Sequence, residues 1–138
     1  MASINLARVL LGGLVSGLVA NVIGYLFRLA FEEEMAAALT RLGLTEPAGR
    51  TVAILIALGF VYGIVAVWFY AAARPRFGAG IRTAVIVAIA LWIVSSLLIN
   101  VQFALLGLLE GNLPVIGTIA DLVIITVSLV AGAWVYRE

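Results

Sequence analysis

Asp121 is the residue in this sequence best suited to do chemistry. It is an acid inside an apolar run, about 13 Å along that run from Asn112 if the run is helical. A carboxylate at that depth in a membrane is costly and should face protein or a cavity. Two amides reach a similar depth: Asn100, about 15 Å before Glu110, and Asn21, about 10 Å before Arg28. Gln102 and Thr118 lie nearby along their own helices. These positions predict a polar layer of Asn21, Asn100 and Asp121, with Gln102 and Thr118 at its edge. Amides both donate to and accept from a carboxyl group, so the layer can satisfy itself. It has two readings. One is interhelical bonding that sets registry, each bond contributing under ~1 kcal/mol. The other is a proton- or cation-responsive site, where Asp121 titrates and the amides orient an ion or a small polar ligand.

Composition removes most other chemistry. Of the 138 residues, 65% are hydrophobic and 11% charged, too apolar for a soluble domain of this length to bury. There is no Cys, which excludes disulfides and thiolate sites, and no His, the commonest metal ligand and general base. Lys is also absent, the eight basic residues all being Arg. Intramembrane hydrolysis usually needs a Ser–His or Ser–Lys pair, two Asp residues or a metal, so the expectation is that this is not an enzyme. No metal site or cofactor is expected. Haem or pigment is disfavoured without His, whereas bound lipid is expected. The net charge of +1 gives no field that would recruit nucleic acid.

Four apolar segments are long enough to span a bilayer, which takes about 20 residues each: 4–31, 51–73, 81–109 and 115–136. They predict a single all-α membrane domain of four transmembrane helices. Arg8 and the run after it could open a signal peptide, but Leu18 is a poor residue for the cleavage site, and the segment reads as a first span. After Glu32-Glu33-Glu34, helical composition continues to Gly43, a candidate C′ residue. Arg28 and Glu32 are spaced to pair along one helix, and the three glutamates read as a solvated acidic cap. Thr45-Glu46-Pro47 reads as the start of the second span, Arg74 to Gly80 as a short basic loop, and Asn112 as the cap of the fourth. Arg8, Arg74, Arg76, Arg82 and Arg137 fall on one side, and Arg28, Arg41 and Arg50 on the other. The positive-inside rule then places both termini in the cytoplasm.

Ser16-Gly17-Leu18-Val19-Ala20-Asn21-Val22 resembles Ser95-Ser96-Leu97-Leu98-Ile99-Asn100-Val101. Each stretch is followed in the next helix by Trp-x-Tyr: Trp68-Phe69-Tyr70 and Trp134-Val135-Tyr136. Two tandem helical hairpins, a parallel internal repeat, would explain this; chance likeness between apolar segments is the alternative. The Trp-x-Tyr pairs also suit aromatic anchors at the headgroup level. The first span carries two ladders of small residues, Gly12-Ser16-Ala20-Gly24 and Gly13-Gly17-Asn21. The second carries Ala53, Ala57 and the pair Gly59–Gly63, and the fourth Ser128–Gly132. Small residues let helices approach closely in lipid. The ladders serve either packing within the chain or a seam to another chain.

The chain resembles small, uncharacterised four-span bacterial membrane proteins. The resemblance lies in Leu11-Gly12-Gly13-Leu14-Val15-Ser16-Gly17, in Val65-Ala66-Val67-Trp68-Phe69-Tyr70 leading to Arg74-Pro75-Arg76-Phe77-Gly78, and in Ala131-Gly132-Ala133-Trp134-Val135-Tyr136. It implies a multi-pass protein of the bacterial cytoplasmic membrane and brings no activity or site residues. Small multidrug-resistance transporters have four helices in a chain of similar length, but their pattern puts a Glu in the first helix. Here that stretch carries Asn21 and no acid. Two functions remain open. The first is a structural or accessory subunit of a larger membrane assembly, or a homo-oligomeric bundle, with lipid and other membrane chains as partners. The second is a small transporter or channel built on the Asp/Asn cluster.

Overall fold

The computed structural model describes residues 4–109 and 111–136. The described residues form five helices: α1 (Leu6–Ala30), α2 (Glu32–Arg41), α3 (Arg50–Phe77), α4 (Ile81–Leu105) and α5 (Leu113–Val135). All but α2 are long and apolar enough to cross a membrane, as the four apolar runs require. α1 packs on α3 and α5, α4 packs on the same two, and α3 and α5 meet between them. α1 and α4 therefore stand on opposite corners. One end of the bundle carries α2 and the α4–α5 connection. The other carries the start of α1, the α3–α4 turn and the end of α5; it is called the terminal end below.

Several boundaries differ from the sequence reading, each for a local reason. The first helix does not run on to Gly43. It breaks at Phe31 (φ −122°, ψ 33°), and the acidic triplet opens α2 instead, where carboxylates suit the positive end of a helix dipole. Gly43 does terminate α2, at φ +68°, with its own N–H on Thr40 O and the Leu44 N–H on Leu39 O. Gly107 (φ +70°) ends α4 in the same way, four residues short of the expected 109. Thr45-Glu46-Pro47 does not cap α3, which starts later, at Arg50, behind Gly49. Arg74 to Phe77 is helix rather than loop, because Pro75 falls in the last turn of α3 and the connection shrinks to Gly78-Ala79-Gly80. Asn112 holds the N-cap position of α5 but makes no side-chain cap bond, whereas Asn5 caps α1 by accepting from the Arg8 N–H. Glu110 and Arg137, used above as markers of depth and of charge, lie outside the described residues.

The buried core lies in the terminal half. Val67, Ala84, Ala88 and Leu129 are fully enclosed there, with Ala66, Ala71, Ile125 and Ala133 around them. Thr83 Oγ donates to Gly78 O (2.7 Å), and the Gly80 N–H donates to the Tyr70 hydroxyl (3.0 Å), which ties the α3–α4 turn to the core. In each Trp-x-Tyr pair the two aromatics separate. Trp68 and Trp134 are 42% and 72% exposed and can serve as anchors, but Tyr70 and Tyr136 are 2% exposed. Their rings meet edge to face at 6.2 Å, and the Arg74 guanidinium lies 5.3 Å from the Tyr136 ring. The tyrosines are thus core residues, not headgroup anchors.

The first two rungs of each ladder on α1 pack inside the chain. Gly12 and Ser16 face α5 at Gly132, and Gly13 and Gly17 face α3 at Ile64, Phe60 and Gly63. Gly12, Gly13, Ser16 and Gly17 are all buried. The ladder stops short of Gly24, where an added Cβ would meet nothing within 4 Å. At these four residues, neighbouring helices of the same chain fill both faces.

Candidate functional site

The polar groups of α4 and α5 converge halfway up the bundle. Ser96 and Asn100 lie one turn apart on α4, Thr118 and Asp121 one turn apart on α5, so each pair shares a helix face. Ser96 Oγ donates to Asp121 Oδ2 at 2.6 Å, a length typical of a hydrogen bond to a carboxylate. The Asn100 amide donates to Ser96 Oγ (3.3 Å) and to Thr118 Oγ1 (2.9 Å). Thr118 Oγ1 donates in turn to Pro114 O (2.7 Å), and the Trp92 indole N–H donates to Thr118 O (2.7 Å). The donors run in one sense, from Asn100 through Ser96 to the Asp121 carboxylate. Among the described residues no hydrogen bond reaches Asp121 Oδ1 or Asn100 Oδ1, so both acceptors remain for a ligand.

A local departure from the α-helix aims these groups. Ile93–Leu97 forms a π turn within α4. Such turns widen the helix by one residue and recur at functional sites. Here adjacent serines serve different neighbours: Ser96 is buried against Asp121 of α5, while Ser95 Oγ lies 3.0 Å from the Tyr62 hydroxyl of α3. Beyond the π turn, Leu98–Leu105 buries no residue. The outer part of α4 thus leaves space beside α5, and α2 covers it.

That space is a cleft of about 380 Å³. Asn100 and Asp121 line it deep in the bundle together with Gly117, and Phe27, Met35 and Arg41 line it from α1 and α2. Toward the terminal end, Val67, Ile125 and Leu129 close the bundle with apolar side chains. The cleft therefore leads to the carboxylate from the side where α2 and the α4–α5 connection line it. Among the described residues no group of three His, Cys, Asp or Glu side chains could hold a metal ion. A site with one carboxylate and neutral oxygens suits a proton, a monovalent cation or a small ammonium-type solute better than a transition metal.

The chain matches no family model, no curated protein and no solved structure. The site must be read from its own geometry.

Of the five residues expected in the polar layer, Asn100, Asp121 and Thr118 come together. Asn21 does not join them. Its amide donates to Gly17 O (2.9 Å) and across to Ile56 O (3.2 Å), bonding α1 to α3. Depth along a helix does not fix direction around it, and α1 sits diagonally from α4. Gln102 is exposed and has no place in the network. Ser96 and Trp92 are functional neighbours that the residue types did not single out, although Ser96 stood inside the repeated motif. Arg28 pairs with Glu46 (2.6 Å) rather than with Glu32, because the break at Phe31 takes Glu32 off the α1 face. One test follows from the separation of the two amides. Asn21→Ala should lower stability by ~0.6 kcal/mol, the usual contribution of an interhelical bond in lipid. It should leave any cation response at Asp121 unchanged, which thermal unfolding with and without the cation would check.

Proposed function

We propose that this small multi-span membrane protein is a transporter rather than an enzyme. It takes a proton or a monovalent, ammonium-sized cation at Asp121 through the cleft at the α2 end. The observation that carries this reading is the cleft itself, which leads to a lone carboxylate whose Oδ1 accepts no hydrogen bond among the described residues. The Ser96 bond holds the carboxylate in place, and Asn100 supplies a second oxygen. The apolar closure below Asp121 suits alternating access better than an open pore, and rearrangement of the π turn or a second copy of the chain would complete the path. Arg8, Arg74, Arg76 and Arg82 lie at the terminal end, so the positive-inside rule turns the cleft away from the cytoplasm. The competing accessory-subunit reading rests on the lack of a catalytic set, the few polar residues within the membrane and the small extramembrane mass, and a spare small-residue face on α1 and the aromatic anchors accord with it. At Gly12, Gly13, Ser16 and Gly17 that face is occupied by α3 and α5, so the accessory reading must find its seam elsewhere.

The native chain has no Cys, which allows a direct test. Gly117 lines the cleft and has open space around its Cα. Gly117→Cys should react with a membrane-impermeant maleimide from one face of a sealed vesicle. Leu98→Cys, on an exposed apolar face suited to lipid, should stay unreacted. If both cysteines are equally inert, the cleft is closed to water and the transporter reading fails, leaving the accessory bundle.

A further inference from the structure

A second groove, of about 620 Å³, opens between α1 and α3 with α2 at one end, and Asp121 does not line it. Its lining is mostly apolar, including Leu18, Val22, Leu26, Leu55, Ile56 and Phe60. Its α2-end rim is charged by Arg28, Glu32 and Glu46, with Arg28 Nη2 2.6 Å from Glu46 Oε2. Leu18 and Arg28 are separated by about 15 Å along α1. That is half the roughly 30 Å of a bilayer's hydrocarbon layer. The groove therefore has the depth of a single leaflet, with charges where headgroups lie and apolar side chains where an acyl chain lies.

The rim also selects among headgroups. Two carboxylates against one guanidinium leave these three residues with a surplus negative charge, which disfavours an anionic lipid. A quaternary ammonium has no N–H to give the carboxylates. A headgroup with a phosphate and a primary ammonium matches both signs: the Arg28 guanidinium donates to the phosphate, and Glu46 and Glu32 accept from the ammonium. We propose that the α1–α3 groove is a binding site for a phosphoethanolamine phospholipid, with one acyl chain laid along Leu18 to Phe60. The site takes in neither Asp121 nor Asn100, although Met35 of α2 lines both this groove and the Asp121 cleft.

The test is competition among lipids. The full chain would be equilibrated in nanodiscs of equal parts phosphatidylethanolamine, phosphatidylcholine and phosphatidylglycerol, then released for native mass spectrometry. The ethanolamine lipid should be retained about fivefold over each of the others, the discrimination that ~1 kcal/mol gives. The exposed pair Glu32→Gln with Glu46→Gln should bring its ratio to the choline lipid close to one. Glu32→Gln alone, which leaves the Arg28–Glu46 pair intact, should lower that ratio in part. Equal retention of the three lipids, preference for the glycerol lipid, or a preference that survives the double substitution would overturn the proposal. So would a dimer that forms at the expense of bound lipid, since the groove would then be an interface between copies.

Discussion

Asp121→Asn should abolish cation-dependent uptake in proteoliposomes while the protein still folds. The substitution keeps the size and planarity of the side chain, and its amide oxygen can still accept the Ser96 hydrogen that Asp121 Oδ2 accepts at 2.6 Å. Registry between α4 and α5 should survive, because the Asn100–Thr118 and Trp92–Thr118 bonds do not involve position 121. The loss is the negative charge at the deep end of the cleft. A hydrogen bond to a charged group contributes ~1.5–3 kcal/mol, so affinity for a monovalent cation or small amine should fall at least about tenfold. Binding can be followed by ligand-dependent thermal stability in detergent, and uptake by flux at several pH values. Ser96→Ala keeps the charge and removes the group that holds it, so a smaller, few-fold loss is expected. If Asp121→Asn binds and transports like the native chain, Asp121 is only part of the packing between α4 and α5.

The elements were largely legible because a bilayer imposes length and apolarity on anything that crosses it, and 65% hydrophobic residues leave few other arrangements. The site was legible only in part, and the reason is geometric. Counting residues gives the depth of Asn21, Asn100 and Asp121, but not the face each presents. Direction around a helix depends on which helices pack together, and here α1 and α4 are diagonal. The π turn at Ile93–Leu97 hides a second part, because the serine that meets Asp121 lies within it and no residue type announces it. The Arg28–Glu46 pair was missed for a related reason. Sequence spacing favours the local Glu32, whereas the chain returns through the α2–α3 loop to bring Glu46 within 2.6 Å. Glycine patterning, in contrast, translated well into contacts, though toward two helices at once.

That close approach sets the second large effect. Gly63→Ala should destabilise the protein by ~1–3 kcal/mol or more, the range for forcing an extra methyl into a packed core. An added Cβ would sit 2.5 Å from the Gly17 nitrogen, 2.6 Å from Gly13 O and 2.9 Å from the Gly17 Cα. All three are backbone atoms, so no rotamer change relieves the clash and α3 must move off α1. Gly132→Ala should behave similarly, with its Cβ 2.7 Å from Gly12 O. Gly24→Ala is the matched control, since open space surrounds it and alanine favours the helix by up to ~1 kcal/mol. Equilibrium unfolding of the three variants in mixed detergent, followed by helical circular dichroism, separates two accounts of the ladders. Packing within the chain requires Gly63→Ala and Gly132→Ala to unfold early even when the protein is a dilute monomer. A seam between chains would instead change the oligomeric state and spare the isolated protomer. If Gly63→Ala proves as stable as Gly24→Ala, α1 and α3 do not lie in backbone contact. The Asn21–Ile56 bond, which needs the same approach, would then be lost from the account as well.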